Sequence, residues 1–151
     1  MRRGLDTNVL VYAHVASLPE HGVVRDFLTR QLARRDVTLV VTPSILHEFV
    51  HVVTDPRRFE PPVPMGEALA IARLYLGRAN VECVATDADA LADAFTLVDR
   101  HGLGRKRLAD TLLAATLLRH GVSELITCNR SDFEAFSGLQ TVDPRDAAAT
   151  A

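Results

Sequence analysis

Short apolar, β-branched runs alternate along this chain with stretches of helical spacing, and that alternation predicts an α/β fold with a largely parallel central sheet. Two observations carry the prediction. The run Val37-Thr38-Leu39-Val40-Val41-Thr42 has the unbroken β-branched character of a strand covered on both faces. From Glu20 to Arg35, Val23, Val24, Phe27, Leu28 and Leu32 form one stripe while Arg25, Arg30 and Arg34 lie off it, which is helical periodicity.

The other elements follow in order. Gly4-Leu5 reads as a short strand, followed by a polar turn and the apolar segment Asn8 to Ala13. Pro43-Ser44 opens a helix, with Pro placed for the first turn and Ser44 as its cap, and the helix ends by Asp55-Pro56. Arg57 to Pro64 is a proline-rich loop, Met65 to Gly77 a helix and Val81 to Ala85 a strand. Asp87 or Asp89 caps a helix running to about His101. Gly102 to Arg107 is a loop, and Leu108 to His120 a helix closed by Gly121. Leu125-Ile126-Thr127 is a strand, Ser131 to Phe136 a short helix and Leu139 to Val142 a last strand.

The chain has 151 residues, 48% hydrophobic and 24% charged, which is the composition of a single globular domain. We place that domain at residues 1–144 and read residues 145–151 as a frayed tail. A net charge of −2 gives no global basic field for nucleic acid, although local basic patches can hide in the sum. The two cysteines, Cys83 and Cys128, lie inside apolar runs and read as small buried thiols, in keeping with a reducing cytoplasm. The N-terminus makes a poor signal peptide, and no run of about 18 apolar residues marks a membrane span.

Function is carried by four acids: Asp6, Glu48, Asp110 and Asp132. Three follow strands and one opens a helix, each among mostly apolar neighbours. In open parallel sheets, sites form beyond the carboxyl ends of the strands. Any one of these acids alone reads as a helix cap or a solvated carboxylate. Converging together, they would need a positive partner, and hard cations such as Mg2+ or Mn2+ prefer oxygen ligands. The chemistry implied is metal-dependent phosphodiester hydrolysis.

The motifs around the acids resemble those of one family. Leu5-Asp6-Thr7-Asn8-Val9-Leu10-Val11-Tyr12 resembles the opening of the PIN domain, specifically of the VapC-type toxin ribonucleases of bacterial toxin–antitoxin pairs. Pro43 to Phe49, Ala109 to Thr116 and Thr127 to Phe133 resemble its later motifs, in order and over the chain to about Pro144. The resemblance implies a PIN-like three-layer α/β/α sandwich. It implies one or two Mg2+ or Mn2+ ions at Asp6, Glu48 and Asp110, with Asn8, Ser44 and Thr127 as polar support. Family members place the fourth acid at the position of either Asn129 or Asp132, so the role is carried to Asp132 with Asn129 beside it. An RNA substrate, a homodimer and a small VapB-type antitoxin are the implied partners.

Two other readings compete. His47-Glu48-Phe49-Val50-His51 spells H-E-x-x-H, the zinc metalloprotease signature, but Thr54 and Arg57 break the extended zinc-binding pattern, and the one candidate third ligand, Glu67, lies beyond Pro61, Pro62 and Pro64 with nothing else to support it. A non-catalytic PIN-like binding module is the other alternative, hinted at by Asn129. The basic pairs and triplets Arg57-Arg58 and Arg105-Lys106-Arg107 flank the acidic motifs and are candidate phosphate contacts, though such clusters are usually only solvated surface. With 5% aromatic residues and no Trp, base stacking does not dominate recognition.

Overall fold

A computed structural model describes residues 1–146; of the expected frayed tail 145–151, Arg145 pairs with Asp143 and Asp146 with Arg130, and 147–151 lie outside the described residues. Five strands form one parallel sheet: β1 (Arg2–Leu5), β2 (Thr38–Val41), β3 (Val81–Cys83), β4 (Glu124–Ile126) and β5 (Gln140–Val142), in the order β3-β2-β1-β4-β5. Between them run α1 (Thr7–His14), α2 (His21–Ala33), α3 (Pro43–Val53), α4 (Met65–Gly77), α5 (Ala88–His101) and α6 (Leu108–Arg119). The chain steps from β1 out to β3, then crosses back to β4 on the other side of β1. Right-handed crossovers therefore put α1–α4, which pack on one another, on one face of the sheet and the α5–α6 pair on the other. This is the expected three-layer sandwich.

The core is where the strands' apolar runs predict it. Leu39, Val40 and Val41 of β2 are fully buried, as strands covered on both faces must be. Phe27 and Phe49 fill one helical layer, and Ala114 and Leu117 seat α6 on the sheet. At the amino end of the sheet, Arg2 pairs with Glu82 at 2.9 Å and Arg3 with Glu124 at 3.0 Å. The opposite, carboxyl end is left for the acids.

Several local expectations need correcting. No polar turn separates β1 from the next element: α1 starts at Thr7 because the Asp6 side chain accepts from the Thr7 amide at 2.8 Å and serves as N-cap. Thr42, not Ser44, caps α3, its hydroxyl accepting from the Ile45 amide at 3.2 Å. That choice follows from Pro43, which sits best at the first helical position and leaves the cap to the residue before it. Ser131 to Phe136 is not a helix but a single 3-10 turn, Arg130–Asp132, followed by looser turns. Another 3-10 turn, Arg105–Arg107, leads directly into α6. Cys83 is exposed, because β3 is short and lies at the sheet edge; Cys128 is buried as expected.

Candidate active site

Doubly wound sheets leave a crevice where the chain reverses direction, here between the carboxyl ends of β1 and β4. Asp6 is the first residue after β1 and is only 8% exposed. Its carboxylate accepts from the Thr7 amide at 2.8 Å, the Thr127 hydroxyl at 2.8 Å and the Asn8 side-chain amide at 3.1 Å. Asn8 in turn accepts from the Cys128 amide at 3.1 Å, so the β1–α1 junction and the segment after β4 are laced together. Glu48 projects from the second turn of α3 and accepts from the Thr7 hydroxyl at 2.9 Å. Asp110 enters from the first turn of α6.

These three carboxylates line one solvent-open cleft of about 360 Å³, together with Asn8, Asn129 and Arg58. Its floor and walls include Thr7, Tyr12, Val52 and Phe59. The electrostatics match the crowding. Burial raises the proton affinity of Asp6 most; its bonds from Thr127 and Thr7 oppose that, and the charges of Glu48 and Asp132 add to it. Asp110 is pushed up to about 6, first by burial, then by the charges of Asp6 and Asp132, with Arg107 pulling the other way.

Asp132 lies close enough to raise both of those groups but is not among the cleft-lining side chains. Its Oδ1 accepts from Nη1 of Arg107 in a short ion pair. Asn129, in contrast, reaches the cleft. Ser44 is exposed on α3 beside His47 and Glu48, outside the cleft proper. Of the basic residues, Arg58 reaches the cleft, Arg57 is exposed and lies 3.6 Å from Asp55, and Arg105 and Lys106 are exposed on the turn before α6. Thr7 is the residue that sequence reasoning missed. It was legible in Leu5-Asp6-Thr7-Asn8, since a hydroxyl one residue after the strand-end acid is placed to meet a second carboxylate.

The donor set suits a hard divalent cation: oxygen-rich and anionic, on the wall of one open cleft. All three acids line this cleft, but among the described residues no three His, Cys, Asp or Glu side chains form a ready ligand cluster. The residues of the zinc-protease reading are no better gathered. His47 and His51 are both exposed on α3, and no third ligand stands with them among the described residues.

An α/β sandwich with carboxylates gathered at its topological switch point defines a class of acidic-cleft proteins. The PIN domain model matches residues 5–139, and the chain belongs to that family. It is 30% identical over 140 residues to Ribonuclease VapC24 of Mycobacterium tuberculosis, covering 93% of this chain and 94% of that protein. Ribonuclease VapC43 of the same species is 45% identical over a shorter 64-residue stretch, 42% of this chain and 43% of that protein. Among solved structures, VapBC2 of Rickettsia felis bound to a promoter DNA fragment aligns with a TM-score of 0.65 at 18% identity, covering 95% of this chain and 98% of the other. The sarcin-ricin-loop-cleaving toxin VapC20 of Mycobacterium tuberculosis aligns with a TM-score of 0.61 at 18% identity, covering 82% of this chain and 86% of the other. Those two alignments show a shared fold.

Proposed function

We propose that this protein is the endoribonuclease toxin of a VapBC-type toxin–antitoxin pair, hydrolysing RNA phosphodiester bonds at the cleft ringed by Asp6, Glu48 and Asp110. The carrying observation is the delivery of three carboxylates, from β1–α1, α3 and α6, to one open cleft in a PIN-domain chain similar along its length to ribonucleases. Mg2+ or Mn2+ held by these acids would supply a nucleophilic water and offset charge on the phosphoryl oxygens. The chain's own residues do the rest. Asp6 is fixed by three donors and cannot swing, so it sets the position of the site. Thr7 orients Glu48. Asn129 offers a neutral polar group to a sugar or phosphate on the cleft wall, while the Asn8 amide is engaged by Asp6 and the Cys128 amide. The openness of the cleft suits a polymer strand passing across it.

The partners follow from the same reading: an RNA strand, a small antitoxin covering the cleft, and a second copy of the chain in a homodimer. No helix among the described residues is long and apolar enough to cross a membrane. The test is cleavage of a structured RNA pool with Mg2+, Mn2+, Zn2+ or EDTA, beside Asp6→Asn. Cleavage with Mg2+ or Mn2+ that falls by roughly 10²-fold or more in Asp6→Asn supports the reading. Full activity of Asp6→Asn, or activity untouched by EDTA, overturns it.

A further inference from the structure

We propose that Arg107 is a phosphate-gripping residue at the rim of the cleft and that Asp132 is its positioning partner rather than a cation ligand. The inference rests on the ribonuclease reading and assigns two residues within it. Asp132 is separated from Arg107 by 25 residues, yet the Arg107 guanidinium donates from Nη1 to Asp132 Oδ1, tying the turn after β4 to the turn before α6. The Asp132 carboxylate is thus committed to a cation of the chain itself; neither it nor Arg107 lines the cleft, whereas Asn129 and Asp110, their near neighbours in the chain, do.

Arg107 is held from its other end as well. Its carbonyl accepts from the Thr111 hydroxyl at 2.6 Å, and Thr111 is fully buried on α6. The backbone that launches the side chain is therefore fixed to the helix that carries Asp110. Arg107 stands at the start of α6, three residues before Asp110, and the Asp132 amide donates to the Asn129 carbonyl at 3.1 Å, so the ion pair adjoins two cleft-lining residues.

The Arg107 side chain keeps 37% of its surface exposed and Asp132 keeps 28%. Of the five donors of a guanidinium, the pair with Asp132 engages Nη1, and no other side-chain bond from Arg107 occurs among the described residues. A planar fork with free donors, fixed beside a row of carboxylates, matches a phosphate oxygen pair better than a flexible ammonium does. In a cleft that holds three carboxylates, such a contact favours the approach of a polyanion. Arg58 lines the cleft and would take another phosphate.

The experiment uses the full chain and two probes. Fluorescence anisotropy of a labelled mixed-sequence RNA oligonucleotide is followed in the Asp6→Asn background, so that no cleavage intervenes. Mn2+ binding is followed calorimetrically with Asp6 intact. Arg107→Ala should weaken RNA binding roughly tenfold and reduce the slope of log affinity against log salt by about 0.7, the share of one phosphate on a single strand. Asp132→Asn should reproduce most of that loss, and the double variant should lose little more, as coupled residues do. Arg107→Lys should recover the salt slope but only part of the affinity. Mn2+ affinity should stay within roughly threefold in Asp132→Asn, because loss of a true ligand costs far more. A drop in Mn2+ affinity of tenfold or more in Asp132→Asn, an unchanged salt slope in Arg107→Ala, or additive losses in the double variant would each overturn the assignment. Failure of the wild type to cleave any RNA would instead overturn the ribonuclease reading, which these binding readouts do not need.

Discussion

The Thr127 hydroxyl donates to the Asp6 carboxylate at 2.8 Å across 121 residues of sequence, joining the residues that directly follow two neighbouring strands. Thr127 is fully buried and Asp6 nearly so. The hydroxyl also accepts from the Asn129 amide at 3.0 Å, which bends the chain after β4 toward the cleft. One side chain thus satisfies the buried acid and shapes the loop that carries Asn129.

Replacing Thr127 by Val keeps the β-branched shape and deletes both bonds. The Asp6 carboxylate loses one of its three donors in a buried setting, so roughly 1–3 kcal/mol of stability should go, read from the denaturation midpoint with unchanged slope. The proton affinity of Asp6 should rise further, because a bond that lowers it is gone. An unaltered midpoint would show that the hydroxyl is not satisfying the acid.

Asp110 gives a stability prediction whose sign is opposite to the usual one for acids. Its pKa is raised from 3.8 to about 6, so between these values the folded chain holds a proton that the unfolded chain has released. Stability then falls as pH rises through that window. In EDTA, acidifying from pH 7 toward 5 should raise the melting temperature, and Asp110→Asn should remove much of the gain while stabilising the protein at pH 7. A melting temperature that falls on the same acidification in the wild type, with no difference in Asp110→Asn, would contradict the raised value.

Catalysis should show the mirror image. A cation needs the carboxylates charged, so the acid limb of the rate profile should lie near pH 6 rather than near 4. Raising Mn2+ should move that limb downward, since metal and proton compete for the same oxygens. A limb that stays fixed over a hundredfold range of Mn2+ would mean that the titrating group is not a ligand.

Most of the fold was legible because its signals are local. The β-branched run of β2, the stripe on α2 and Gly121 behind α6 each follow from short-range chemistry, and Gly121 indeed adopts φ of 73°. Of the acids, Asp6, Glu48 and Asp110 were readable as strand-end or helix-start residues, and the fold brings them to one cleft. What could not be read was which donors each acid meets. The bond from Thr7 to Glu48 spans 41 residues and depends on how α3 leans on α1. The pairing of Asp132 with Arg107 depends on two 3-10 turns that propensity does not distinguish from loop or helix. The Ser131–Phe136 helix failed for that reason: Phe133 and Phe136 are buried by tertiary packing, and their spacing mimics a helical stripe.

His47 and His51 test the protease reading directly. Both are exposed, and neither makes a side-chain hydrogen bond or ion pair among the described residues. Alanine at either position should change stability by no more than about 0.5 kcal/mol, as unpartnered surface sites do. RNA cleavage in Mn2+ should be retained within about twofold in His51→Ala, as a residue outside the cleft allows. Loss of activity together with loss of tight Zn2+ would return the H-E-x-x-H motif to the centre of the chemistry.

Gly4 shows how tightly the site is seated on the core. It lies in β1, two residues before Asp6, and a Cβ there would stand 2.6 Å from Cδ1 of Leu117 and 3.3 Å from Cδ1 of Leu125. Leu117 is fully buried on α6, the helix that carries Asp110. Gly4→Ala should therefore cost about 1–3 kcal/mol by overpacking, the lower end applying if the Leu117 side chain finds another rotamer. Leu117→Ala alone should cost about 2–5 kcal/mol, by leaving a cavity under the sheet. The two defects have opposite signs in volume and share one contact. The double variant should therefore be more stable than the sum of the single losses allows, by about 0.5 kcal/mol or more, read from a double-mutant cycle in urea. Strict additivity would show that β1 and α6 do not press on each other at Gly4. The close fit of the helix behind Asp110 against the strand behind Asp6 would then lose its support.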